Sequence, residues 1–213
     1  MRKGSFSRKT KETDISLEID LDGKGELALE CEEGFFSHML DAFARFSLVD
    51  LRGRISGDGA VDGHHTVEDS GFVLGTALRE ALGDMRGLRR CGFSYFPMDE
   101  SLARAAIDFS GRPFCLVRGK ERAMPAGAFG RELFEEFFQG FCRGAKATLH
   151  IDLIRGRNGH HVYEAGFKAA GRAVMEAVSI IERASLSVPS TKGSLDGFPG
   201  SASGSSPKGG AKA

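Results

Sequence analysis

The segment Gly63-His64-His65-Thr66-Val67-Glu68 returns 96 residues later as Gly159-His160-His161-Val162-Tyr163-Glu164. Four of the chain's six histidines lie in these two copies. A repeat of this kind sets the architecture before any single side chain is interpreted. The same shift carries Asn158 to Asp62, so each copy follows a residue whose side-chain oxygen suits a helix N-cap. It also carries Tyr163, Phe167, Ala170, Val174 and Ala177 to Val67, Gly71, Leu74, Leu78 and Ala81, a 4-3-4-3 stripe that predicts an amphipathic helix behind each motif. Upstream, a shift of 98 superposes Phe134, Phe137, Phe138 and Phe141 on Phe36, Met39, Leu40 and Phe43, the buried face of a second helix pair. A shift of 88 sets Ile107-Asp108-Phe109-Ser110-Gly111 on Ile19-Asp20-Leu21-Asp22-Gly23, each closing an alternating run at a turn. Offsets that change in this way are what loop insertions between shared elements leave.

Each half therefore reads as strand, strand, helix, strand, helix. In the first, the strands centre on Ile15 to Leu21, on Leu27 and Leu29, and on Val49 to Ile55, with helices at Phe36 and His64. In the second, strands end at Phe109, run through Phe114 to Val117 and run through Leu149 to Leu153, with helices at Phe134 and His160. One-stripe helices must bury that stripe, and strands of alternating polarity can leave one sheet face wet. The expected class is α+β: tandem duplicated ββαβα half-domains, residues 1–93 and 94–196, with four helices packed between two mixed β-sheets. Residues 197–213 are Gly, Ser, Pro, Ala and Lys almost throughout, the composition of a disordered tail. Gly23-Lys24-Gly25 reads as a hairpin turn.

At 213 residues the chain is long enough for a core that needs no staples. Its 29 basic and 29 acidic residues balance, which argues against a nucleic-acid or anionic-membrane partner. No run of apolar residues is long enough to span a bilayer, and Met1 to Thr13 is polar and basic rather than an export signal. The four cysteines, Cys31, Cys91, Cys115 and Cys142, form no Cys-x-x-Cys pair, so a reduced, cytoplasmic setting is expected.

Imidazole and carboxylate without thiolate suit a first-row ion such as Mn, Fe, Co or Zn and not a Cys-rich structural zinc site. On a helix His64 and Glu68 share a face, whereas His65 points roughly 100° away, and the same holds for His160, Glu164 and His161. Each motif thus offers ligands in two directions. A pseudo-twofold relation would let one ion take His64 and Glu68 from one half and His161 from the other, with a second site built reciprocally. His38 and Glu136, paired by the shift of 98 and both off the apolar stripe, are further donors able to complete a site. His150, on a strand, reads as an ordinary hydrogen-bonding residue. Neither a His-Glu-x-x-His zincin motif, nor a Gly-x-Ser-x-Gly elbow, nor a Walker loop occurs.

The blocks Arg8 to Thr13, Phe36 to Leu40, His64 to Asp69, Ser110-Gly111-Arg112-Pro113, Thr148 to Ile151, Asn158 to Lys168 and Pro189 to Gly193 together resemble the imidazoleglycerol-phosphate dehydratase family of histidine biosynthesis. The likeness spans Arg8 to about Leu195. It implies the duplicated fold already read from periodicity, two Mn²⁺ ions per active site (other divalent first-row metals being possible), and a large homo-oligomer, 24 subunits in most members, with ligands shared between neighbours. The metal set it implies is His38, His64, His65, Glu68, Glu136, His160, His161 and Glu164.

The reaction so implied removes water from imidazole glycerol phosphate to give imidazole acetol phosphate, through a metal-bound imidazolate and a diazafulvene-like intermediate, with the metal as Lewis acid and template. Glu164 and Glu12 are the residues the resemblance offers for moving the carbon proton. Arg90, Arg112, Lys168, Ser190 and Lys192 are those it offers for the substrate phosphate. Three positions depart from the family pattern: Ser37 stands where Asp is usual, Phe46 where His is usual, and Glu136 where a metal-ligating His is usual. Glutamate ligates the same ions, so metal binding is expected to persist with altered preference or rate. Two metals and a cationic cluster also suit a dinuclear phosphohydrolase, and a catalytically lapsed, metal-stabilised oligomer is the non-enzymatic alternative.

Overall fold

The computed structural model describes residues 1–57, 63–119, 125–191 and 195. Asp62, Lys192 and the tail from 197 onward lie outside the described residues. The first half runs β1 (Lys3–Lys9), β2 (Thr13–Asp20), β3 (Leu27–Cys31), α1 (Gly34–Ser47), β4 (Asp50–Gly57) and α2 (His64–Leu82). The second repeats it as β5 (Cys91–Met98), β6 (Ser101–Asp108), β7 (Phe114–Arg118), α3 (Arg131–Ala145), β8 (Thr148–Arg155) and α4 (Gly159–Ala177). The two four-stranded sheets share one order, β1-β2-β4-β3 and β5-β6-β8-β7. In each, the β3–β4 or β7–β8 pair is parallel and the others are antiparallel. The expected ββαβα run is present twice, each time preceded by one further strand, and the expected 93/94 boundary falls inside β5. The Gly23 to Gly25 turn does not make a hairpin: β3 passes β2 and pairs in parallel with β4, while Asp50 Oδ1 accepts from the Lys24 and Glu26 amides at 2.8 and 3.0 Å.

The helices lie between the sheets because each has only one side to hide. Helix α2 packs on β1 and β2, α4 packs on β5 and β6, and the pairs α2–α3 and α1–α4 meet in the middle. Along β2, Thr13, Ile15, Leu17 and Ile19 alternate inward against exposed neighbours. Each such Ile or Leu contributes about 1.5–3 kcal/mol on burial. The α3 stripe of Phe134, Phe137, Phe138 and Phe141 is fully buried and interlocks with Phe36, Phe43 and Phe167. The ring pairs are tilted or edge-on, the arrangement aromatic quadrupoles favour.

The two strands that periodicity missed, β1 and β5, hide their alternation for one reason. Their inward positions include Gly4 and Gly92, each lying directly on a helix backbone; a Cβ there would stand 2.1 Å from the Ala77 and Ala173 carbonyl oxygens respectively. Helix and strand touch main chain to main chain at these two positions, so the inward register of each strand lacks one apolar side chain and rests on Phe6 in β1 and on Phe96 and Met98 in β5. The α2–α3 crossing is built similarly: a Cβ on Gly140 would come within 2.2 Å of the Glu68 carbonyl oxygen, and one on Gly71 within 2.1 Å of that of Phe137.

Candidate metal centre and active site

Two clusters of ligand-bearing side chains stand where helices of opposite halves meet. His38 from α1 joins His160 and Glu164 from α4, and Glu136 from α3 joins His64 and Glu68 from α2; within each cluster the donor atoms lie within 4.8 Å of one another. The shifts of 96 and 98 exchange one cluster for the other. In the first, Glu164 Oε2 is 3.1 Å from His160 Nε2 and 3.4 Å from His38 Nε2. In the second, His64 Nε2 is 4.0 Å from Glu68 Oε2, and Glu68 Oε1 takes a 2.6 Å bond from Arg143 Nη2. The shared face of His and Glu at i, i+4 is thus realised in both copies.

The clusters differ in charge and depth. Glu164 is buried, with Lys168 Nζ 2.6 Å from its other oxygen. Burial pulls the Glu164 carboxyl upward, but the Lys168 hydrogen bond and charge, helped by His38, outweigh it and hold the group below its ordinary value. Helix α4 is fixed at this end by Asn158, whose Oδ1 accepts from the His160 amide at 3.0 Å, as the N-cap reading expected. At the start of α2 the corresponding Asp62 lies outside the described residues, and Gly63 offers no side-chain cap.

His65 and His161 face elsewhere. Their ring centres stand 5.6 and 6.2 Å from those of His64 and His160, and neither ring belongs to a cluster among the described residues. The expectation that His161 joins His64 and Glu68 within one chain is corrected here. A turn of α4 aims His161 at the β5–β6 hairpin of its own half, where its Nδ1 is 2.8 Å from Glu100 Oε2; Glu136 takes the third place beside His64 and Glu68. His65 likewise meets the β1–β2 hairpin, with its Nδ1 3.4 Å from Glu12 Oε2. Glu12 and Glu100 are 88 residues apart, the offset that relates the hairpins, so they are equivalent positions. Hydrogen bonds from His161 and from the Asn158 and Arg157 amides hold the Glu100 carboxyl far below the ordinary carboxylate range, and Glu100 raises His161 in return. Sequence reasoning passed over Glu100, although the repeat offset pointed to it from Glu12.

The residues expected at the substrate phosphate come from several elements of the chain. Arg90 holds Asp108 through two bonds of 2.6 and 2.9 Å and donates to the Pro189 carbonyl at 2.7 Å, anchoring the segment that carries Ser190. Arg112 is exposed on the turn between β6 and β7, where the Ser110 hydroxyl accepts from its amide at 3.2 Å. Lys168 is engaged with Glu164 and lies 5.2 Å from the Phe46 ring centre. Lys192 lies outside the described residues.

The family model described as imidazoleglycerol-phosphate dehydratase matches residues 31–174, which include both clusters. The chain belongs to the imidazoleglycerol-phosphate dehydratase family. It is 50% identical over 195 residues to the imidazoleglycerol-phosphate dehydratase of Cereibacter sphaeroides and 49% identical over 195 residues to that of Methylorubrum populi, covering 92% of this chain and 100% of each relative. Crystal structures agree. That of the dehydratase from Pyrococcus furiosus superposes with a TM-score of 0.78 at 37% identity, covering 89% of this chain and 100% of the other. That of the Staphylococcus aureus dehydratase gives 0.73 at 38% identity, covering 84% and 99%. These likenesses bear out the duplicated α+β reading and the dehydratase resemblance; none of these relatives favours the phosphohydrolase or the lapsed scaffold.

Seen beside the dehydratase pattern, the three departures fall at or next to the clusters. Ser37 precedes the donor His38 on α1. Phe46 packs edge-on against Phe96, with ring centres 4.7 Å apart, and both rings flank Lys168. Glu136 turns into its cluster and not away from it. The donor sets fit a divalent first-row ion: each combines imidazole nitrogen with carboxylate oxygen, and no cysteine belongs to either.

Proposed function

We propose that this chain, as a dehydratase of its family, converts imidazole glycerol phosphate to imidazole acetol phosphate at a site built from the two histidine–glutamate clusters and the two hairpin acids. The observation carrying this assignment of residues is that His38, His160 and Glu164 converge, and that His64, Glu68 and Glu136 do so by the pseudo-symmetric route. Those six, with the outward-facing His65 and His161, are the residues that would hold two Mn²⁺ ions. When bound, such an ion supplies Lewis acidity toward the substrate imidazole.

The chain's own groups handle protons and position. The reaction breaks a C–H bond and the C–O bond of the neighbouring hydroxyl; the resulting enol tautomerises to the ketone, and water leaves. A carboxylate must take the carbon proton, and a proton must reach the departing hydroxyl. Glu164 is kept ionised by Lys168 and is ready to accept at Oε. Glu12 sits at a hairpin tip beside the His65 ring, exposed and without backbone donors on its carboxylate among the described residues, which suits a group that exchanges a proton. Arg90, Arg112, Lys168, Ser190 and Lys192 would receive the phosphate, with Arg90 setting the segment ahead of Ser190. This reading also takes in the cytoplasmic setting and the large homo-oligomer that the resemblance implies.

Incubating the purified chain with imidazole glycerol phosphate and Mn²⁺ tests it. An enolisable ketone should form without release of inorganic phosphate, and E164Q should abolish its formation. Phosphate release, or full turnover by E164Q, contradicts the reading.

A further inference from the structure

The duplication places an acid at the tip of the first hairpin of each half, Glu12 and Glu100, and a helical histidine opposite each, His65 and His161. The two pairs are not used alike. Glu12 meets His65 at 3.4 Å and has no further partner on its carboxylate among the described residues. Glu100 is held from several sides. Its Oε1 accepts from the Arg157 amide at 3.1 Å and the Asn158 amide at 3.0 Å, and its Oε2 lies 2.8 Å from His161 Nδ1. Ser101 Oγ adds a bond of 3.1 Å to the same Oε1. The carboxylate therefore clamps the two residues that lead into α4, while one oxygen remains for the ring.

We infer that Glu100 is a positioning residue, whose carboxylate fixes the His161 ring and its tautomer so that Nδ1 carries the proton and the Nε2 lone pair is presented outward as a metal donor. The inference rests on the reading of His161 as a ligand. An ionised carboxylate can only accept, so the atom facing it must be Nδ1–H, and in the neutral ring the lone pair is left on Nε2. Partners of this kind orient metal-binding imidazoles and raise their basicity. Asp99, the other acid at this tip, approaches Nε2 no nearer than 3.9 Å and does not compete as a hydrogen-bond acceptor. Equivalent positions have thus divided the work: the acid of the second half is locked to hold a ligand, and that of the first is left loose to move a proton.

Mn²⁺ titration of the full-length chain after chelation tests the inference, with free Mn²⁺ read by electron paramagnetic resonance for wild type, E100A, E100Q and H161A. E100A should bind about 10- to 100-fold more weakly. E100Q, whose amide oxygen still accepts from Nδ1–H, should recover most of the affinity. Wild-type affinity in E100A, in a titration where H161A has lost a site, overturns the role of Glu100 and leaves the metal reading standing. E100Q as weak as E100A also overturns it. An unchanged Mn²⁺ count in H161A removes His161 from the ligands and takes both readings down together. If E100A does not fold, the ring ¹⁵N shifts of His161 in metal-free wild type decide: a proton on Nε2 of the neutral ring contradicts the inference.

Discussion

Lys168 Nζ lies 2.6 Å from Glu164 Oε1, one turn further along α4, with only 16% and 7% of the two side chains exposed. A buried carboxylate needs such a partner to stay charged. With the ammonium removed, burial is left as the leading influence on Glu164, and it acts upward. The acid limb of kcat/KM in K168M should therefore move to higher pH, and kcat at neutral pH should fall by about 100-fold or more. A pH–rate profile that keeps its acid limb in place would separate Lys168 from the ionisation of Glu164.

Glu136 stands with His64 and Glu68. If two metals occupy each active site as proposed, E136A should lose one of them on metal analysis after dialysis, while E136H should keep both and alter the preference among Mn²⁺, Co²⁺ and Zn²⁺. An unchanged count in E136A places Glu136 outside the coordination sphere.

The Glu100–His161 pair makes the metal-free protein pH-sensitive in a defined window. Glu100 is lowered from 4.5, so its contribution is present above that value and fades as pH falls through the depressed one. His161 is raised from 6.5, so its contribution is complete below that value and fades as pH rises through the elevated one. The difference in melting temperature between chelated wild type and E100Q should be greatest between pH 4.5 and 6.5 and shrink on the alkaline side. A difference that grows with alkalinity would contradict the pairing.

Gly92 and Gly34 make a matched pair for calorimetry. A methyl at Gly92 meets the Ala173 carbonyl oxygen at 2.1 Å, whereas one at Gly34 meets nothing within 4 Å. G92A should destabilise by about 1–3 kcal/mol or more through forced displacement of α4. G34A, at the open start of α1, should stabilise by about 0.5–1 kcal/mol. Equal effects would show that the strand–helix contact is softer than its geometry.

How much of this was readable from the chain depended on which atoms carry the signal. The stripes of α1 to α4 and the alternation of β2 and β8 are written in buried apolar side chains, and they carry the layers and the duplication, whereas β6 turns mostly small residues inward and shows itself through Ile107 and Phe109 at its end. Strands β1 and β5 are not written that way, because Gly4 and Gly92 seat them on helix backbone and their outward positions include the exposed Phe93 and Tyr95. The clusters were half legible. Spacing along one helix gives His64 with Glu68 and His160 with Glu164, but which residue arrives from the opposite half depends on how helices cross. That is why His161 was expected where Glu136 stands. Glu100 needed the third dimension as well, since only the folded hairpin brings it to α4.

Gly140 is one turn beyond Glu136 on α3, and its missing side chain lets α3 rest on the main chain of Glu68. The gap between the cluster's donors on two different helices is therefore gauged by an atom that is not there. A single methyl at Gly140 would act as a shim, widening the span from Glu136 to His64 and Glu68 without touching any donor. On the proposed metal reading, cation selectivity would in that sense be calibrated by backbone spacing, and a residue with no chemistry of its own would retune it.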